Sequence, residues 1–303
     1  MTAWVASLGG RLAERWLATL MLPGVVFVGV VAVAARLGRR HWSDLGLLST
    51  GFDRFASSPT AHSDGTVLLV ALAAVASAVA ASLVAQALGQ LVVRAWTGPW
   101  GRCGRPLTRR RQRRWDEAAS RYEEALREKA RLLRRPRGRP PAAGELPDTA
   151  ALAAARDRIA PVRPRLPTWT GDRMLAVGER VRTAYDVDLA TVWPRLWLNL
   201  PEDVRASLAQ AQAAFTAAAR TAAWGLLYLG LGPRWWPAAL IGAAALLIGW
   251  WRGRTAMENL AQLVEAGVDL HLSALAASLG HPIQGPFTPA DGESVTRILR
   301  KGY

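Results

Sequence analysis

Residues 66–114 read TVLLVALAAVASAVAASLVAQALGQLVVRAWTGPWGRCGRPLTRRRQRR, an uncharged Ala/Leu/Val run that passes at once into a dense basic segment. No ionisable side chain lies between Asp64 and Arg94. As a helix, Thr66 to Val93 would extend about 42 Å at ~1.5 Å per residue, more than the ~30 Å hydrocarbon core of a bilayer. Arg94, Arg102, Arg105, Arg109, Arg110, Arg111, Arg113 and Arg114 follow within the window that sets orientation. By the positive-inside rule the Arg94 end faces the cytoplasm. The stretch therefore predicts a membrane span, 66–93, that delivers a basic domain to the cytoplasmic side.

The whole composition points the same way. A chain of 303 residues with 51% hydrophobic content and a formal charge of +15 does not have the balance of an ordinary soluble protein. Lys129 and Lys301 are the only lysines among 38 basic residues. The codon bias of a GC-rich bacterial genome accounts for that preference, but not for the clustering of Arg beside one apolar run. The single Cys103 excludes an intrachain disulfide framework and a Cys-rich metal site.

Working outward, residues 1–15 suit a short interfacial helix or a frayed lead into the first span. Residues 16–35, bracketed by Arg15 and Arg36, predict that span as an uncleaved anchor, with a kink at Pro23-Gly24. Residues 36–65 form an extracytoplasmic loop, whose His41/Asp44 and His62/Asp64 pairs read as solvated turn formers rather than a metal site. A helix of about 31 residues from Pro201 carries the third span, 212–232. The fourth span is 235–251, with Trp235-Trp236 and Trp250-Trp251 as aromatic belts and Arg252 and Arg254 inside. A short re-entrant hairpin is the alternative for this pair. Residues 252–303 form a cytoplasmic helix and tail, with Met257, Leu260, Val264, Val268, Leu272, Leu275 and Leu279 on one face and Gly280 as the stop. The expected fold is thus all-α and polytopic, with four transmembrane helices and both termini cytoplasmic. A helical domain, 94–211, with a linker at 136–147, is inserted between spans two and three.

Two rows stand out on the second span. Ser77, Ala81, Ala85 and Gly89 form a row of small residues that would let a helix approach closely. Ser82, Gln86, Gln90 and Arg94 form a polar row beside it, read either as interhelical hydrogen bonding or as the lining of a path in an oligomer. Arg220, about two turns inside the third span, either snorkels to the interface or faces Gln86 or Gln90.

Gly98, Pro99, Gly101, Gly104 and Pro106 suggest a break, followed by a charged helix over 110–135 with a stripe through Trp115, Ala118, Tyr122 and Ala125. Between Arg94 and Arg139 there are 16 Arg or Lys against five acids, so anionic headgroups are the expected partner, with Arg109, Arg110, Arg111, Arg113 and Arg114 as docking residues. Without a recognition motif or an aromatic stacking surface, nucleic acid is disfavoured. Glu258, Glu265 and Asp269 are expected to approach the basic segment around 109–135. Trp193 and Trp197, in a segment read as a cytosolic loop, either anchor a partner or dock the domain on its own helices or on the bilayer interface.

The text VWPRLWLNLPEDVR (192–205), preceded by LPTWTGDRMLAVGERVRTAYDVDL (166–189) and followed by WGLLYL (224–229), resembles a pattern of uncharacterised integral membrane proteins of high-GC bacteria. The resemblance spans roughly residues 166–279. It implies a helical membrane fold and assigns no catalytic residue.

There is no GxxxxGK[ST] loop, GxGxxG turn, GxSxG elbow, HExxH pair or EF-hand loop. No enzyme activity and no cofactor are expected. The expected function is a membrane anchor or scaffold in the cell (inner or plasma) membrane that recruits a cytosolic partner through the Arg-rich domain, as a homo-oligomer or part of a larger assembly. The alternative is an oligomeric pore or membrane-perturbing effector, with Ser82, Gln86, Gln90 and Arg220 along its path.

Overall fold

The structure, a computed structural model, describes residues 21–39, 44, 46, 64–134 and 146–300. The interfacial segment 1–15, most of the loop 36–65 and most of the linker 136–147 lie outside the described residues. Within them the chain is all-helical, with nine helices and no strand. These are α1 (Leu22–Leu37), α2 (Asp64–Thr97), α3 (Gly101–Leu133), α4 (Thr149–Ile159), α5 (Trp169–Tyr185), α6 (Leu189–Asn199), α7 (Glu202–Leu231), α8 (Trp236–Ser278) and α9 (Pro289–Leu299).

Local chemistry sets many of the ends. The side chains of Asp148, Thr168 and Asp188 cap α4, α5 and α6 by accepting backbone N–H bonds, and Thr288 with Asp291 closes a capping box on α9. Gly280, at φ +83°, takes the left-handed turn beyond α8 that a side chain would resist.

Two expectations are corrected. The break after α2 is confined to 98–100: α3 starts at Gly101 and runs through Pro106, whose missing N–H removes one bond from a 33-residue helix without ending it. The segment 189–199 is a helix, not a loop, with Val192 and Leu196 on its buried side. Pro194 and the paired Trp disguise it, while the Asp188 cap is the local signal that starts it.

Contacts divide the chain into two units, one of residues 1–92 and 216–252 and the other of 93–215 and 253–303. The first is built on small residues. Among its described residues the buried positions are Gly24, Ala34, Leu37, Ala78, Ser82, Ala85, Gly89, Ala218, Ala219, Ala222, Ala223, Gly225, Ala238, Gly242 and Gly249, of which only Leu37 is large. Leu68, Leu69, Leu72, Leu83, Leu240 and Leu247 point outward and are more than half exposed. α2 buries the face Ala78, Ser82, Ala85 and Gly89 at helical spacing, which takes Ala85 and Gly89 from the expected small-residue row and Ser82 from the polar one, while Ser77 and Gln90 are exposed. Within this unit α7 and α8 cross closely. A Cβ on Gly225 would fall 2.8 Å from the Gly242 carbonyl oxygen, and one on Gly242 would fall 2.7 Å from the Gly225 oxygen and the Leu229 nitrogen. Among the described residues one helix, over Gly65–Thr97, is long and apolar enough to cross a membrane.

The second unit has the opposite grain. Phe215, Leu196, Leu272, Val177, Val268 and Val295 are fully buried in a core shared by α5 to α9. On α8 the predicted face from Met257 to Leu275 is the one that faces this core, and Leu279 is partly buried against it.

Candidate functional site

The second unit is held by an ionic and hydrogen-bonded frame built around the segment 159–172. With Pro161, Pro164 and Pro167 the stretch 160–168 between α4 and α5 forms no helix of its own, so its carbonyls need outside donors. α3 supplies them from one face. Arg111 donates through Nη1 to the Leu166 carbonyl (2.6 Å) and through Nη2 to that of Ile159 (2.7 Å). Gln112 donates to Pro164 O (2.9 Å), and the Trp115 indole donates to Ala160 O (2.9 Å). Asp172, fully buried in the first turn of α5, accepts Arg111 Nη1 at 2.5 Å and the backbone N–H groups of Arg165 and Leu166 at 2.8 Å each. The hydroxyls of Thr168 and Thr170 donate to the Trp96 carbonyl at 2.5 and 2.6 Å.

A second clasp joins α5 to α8. Arg173, only 4% exposed, forks onto both oxygens of Glu258 (2.8 and 2.9 Å) and reaches Glu265 (3.1 Å). Arg180 adds a 2.6 Å pair to Glu265, and the Tyr185 hydroxyl donates to Asp269 (2.9 Å). The three acids on α8 therefore pair with α5. The expected partner, the basic segment 109–135, is corrected: α3 spends its inward Arg on Asp172.

Burial would lower the Arg173 guanidinium, but its bonds to Glu258 and Glu265 outweigh that and hold it above its ordinary value. Burial would likewise raise the Glu258 carboxyl, but Arg173 outweighs it and holds Glu258 below its ordinary value of 4.5. A carboxyl lowered in the folded state contributes stability above its unfolded value and loses it as pH falls through the folded one. The unfolding midpoint should therefore fall as pH drops below about 4.5, and Glu258→Gln should flatten that fall. Asp291, held low by the Thr288 hydroxyl and backbone, acts in the same direction, so the difference between the two proteins isolates Glu258. Parallel acid profiles would refute the linkage.

Cation–π contacts complete the frame. Arg156 on α4 lies 4.9 Å from the Tyr122 ring and 6.0 Å from that of Trp115, which shows what covers the predicted stripe of α3. Arg254 sits 4.1 Å over Trp169 and donates to Arg158 O. Its proton affinity is lowered by burial and by the charge of Arg111.

No protein-family model, curated protein or solved structure matches this chain.

The Arg cluster singled out in the sequence is divided by the fold. Arg111 is committed to the frame, Arg110, Arg113 and Arg114 are exposed, and Arg109 lines a separate cleft. Trp193 and Trp197, 6.1 Å apart, are half-buried against the core, while Leu198 beside them is 78% exposed. In the first unit Ser82 is buried against Gly24, Gln86 is half-buried and Gln90 is exposed. The backbone and Cγ of Arg220 pack on Gly89, and among the described residues no hydrogen bond joins Arg220 to Gln86 or Gln90. Sequence reasoning missed Asp172, Arg173 and the Gly225/Gly242 crossing. Gly242 and Gly249 stand one heptad apart, a legible signal for close packing. Among the described residues no group of three His, Cys, Asp or Glu is placed to hold a metal ion.

Proposed function

We propose that this chain is an integral anchor of the cell (inner or plasma) membrane, crossing it at 16–35, 66–93, 212–232 and 235–251 with both termini cytoplasmic. Its Arg-rich helical domain, 94–211, recruits a cytosolic partner. The observation that carries this reading is the inverted packing of the first unit. Water drives large apolar side chains inward, whereas lipid is as apolar as Leu and leaves helix association to close contact between small residues. Ala, Gly and Ser inside, with Leu, Val and Ile outside, is the arrangement suited to lipid. The division at residues 92/93, 215/216 and 252/253 supports separate membrane and cytoplasmic parts. Exposed Arg110, Arg113 and Arg114 offer the recruiting surface.

The test uses the exposed native thiol, Cys103. The protein should resist alkaline carbonate extraction, and an impermeant maleimide should label Cys103 in inside-out vesicles but not in intact cells. Labelling in intact cells would overturn the orientation; extraction into the soluble fraction would overturn the anchor. For recruitment, in-cell cross-linking should yield a cytosolic protein whose capture falls with Arg110→Gln/Arg113→Gln/Arg114→Gln, and unchanged capture would count against docking there. Liposomes carrying the protein should stay tight to ions. Flux that is abolished by Gln86→Leu would replace the anchor by the pore.

A further inference from the structure

Directly beyond Thr97, the last residue of the candidate span, the second unit holds an open cleft of about 310 Å³. Its lining includes Trp100, Arg105, Thr108, Arg109, Gln112 and Arg165. That volume is at the lower end of the range of small-molecule sites. Three guanidiniums line the cleft and no carboxylate does. Among the described residues Arg105 and Arg109 form no ion pair, and Arg165 meets only the half-buried Glu179 at 3.5 Å. The other polar side chains of the lining are spent internally: Thr108 donates to Gly104 O, Gln112 to Pro164 O and the Trp100 indole to Ala95 O. What remains available is positive charge in fork geometry, which matches the oxygens of a phosphate.

The lining itself is held firmly. Arg165 gives its backbone N–H to buried Asp172, and Gln112 and Arg111 fasten α3 to the segment on the opposite wall. The three Arg side chains are thus brought to one place by a frame that does not use their own charges.

We propose that this cleft binds the phosphate of an anionic phospholipid headgroup, through Arg105, Arg109 and Arg165. The source is a lipid because the lining starts where the apolar helix ends and because Trp100, 41% exposed on the lining, has the amphipathic ring favoured at headgroup depth. The proposal rests on the anchor reading and gives its cytoplasmic side a specific lipid contact.

The test is native mass spectrometry of the full chain in neutral detergent, titrated with dioleoyl phosphatidylglycerol, with dioleoyl phosphatidylcholine and, in a separate arm, with inorganic phosphate. Wild type should retain phosphatidylglycerol in preference to phosphatidylcholine. Arg105→Gln/Arg109→Gln/Arg165→Gln should weaken phosphatidylglycerol binding about 100-fold, at roughly fivefold per basic residue. Arg102→Gln/Arg121→Gln/Arg134→Gln, which removes equal charge at exposed positions outside the cleft, should change it less than about threefold. None of the six side chains serves the buried frame, and circular dichroism checks that both variants fold.

Equal losses in the two variants would overturn the cleft in favour of diffuse attraction. No preference over phosphatidylcholine would overturn the anionic headgroup. Inorganic phosphate binding as tightly as the lipid would overturn the lipid as source. Failure of the anchor shows separately in carbonate extraction, which does not depend on any of these affinities.

Discussion

Asp172→Ala is expected to destabilise the second unit by about 3 kcal/mol, enough to consume a large part of the 5–15 kcal/mol typical of a folded domain. The carboxylate is fully buried and, among the described residues, is the only acid bonded to Arg111. It also accepts two backbone N–H groups from a Pro-interrupted segment that has no ladder to fall back on. Removing it leaves a largely buried guanidinium without its charge partner and two amides without an acceptor, and each loss costs more than the intact bond contributes. Asp172→Asn keeps an oxygen for the amides and should lose about half as much. Denaturant unfolding followed by tryptophan fluorescence gives both values. A difference from wild type below about 0.5 kcal/mol for the Ala variant would show that the pair does not hold the frame.

Gly242→Ala is expected to cost about 2–3 kcal/mol in detergent unfolding, against the helix propensity that alone favours Ala by about 1 kcal/mol. The added methyl would meet backbone rather than a flexible side chain, at 2.7 Å from both Gly225 O and Leu229 N, so α7 and α8 would have to separate. Gly230→Ala is the matched control, because nothing lies within 4 Å of its Cβ position. It should be neutral or slightly stabilising. Equal behaviour of the two variants would refute the close crossing.

These positions mark what the chain could and could not tell in advance. The core face of α8 was legible because Val and Leu repeat with the helical period over five turns, and Gly280 ends the pattern. Asp148 and Pro201 likewise carry their meaning locally. The inward turn of Arg111 was not legible, because Arg109, Arg110, Arg111, Arg113 and Arg114 have the same local signal. Only the register of α3 against residues 159–172, about fifty positions away, separates them. Glu258, Glu265 and Asp269 could be placed on one side of a helix by spacing, yet their partner depended on which helix the fold laid there. The glycines of α7 and α8 were in plain view, but a reading by hydropathy counts them as filler, although their lack of a side chain is what brings the backbones together.

The inverted packing of the first unit has a consequence for temperature. A positive heat-capacity change on unfolding arises from apolar groups leaving an interior for water. In the second unit Phe215, Leu196, Leu272 and the Val side chains make that transfer, so its stability is domed and weakens on cooling as well as on heating. In the first unit Leu, Val and Ile already lie outside, and in a bilayer the parting of its helices exchanges one apolar neighbour for another. One chain thus joins a part whose stability curves with temperature to a part for which, in lipid, it is nearly flat, so cold loosens the second unit and leaves the first seated.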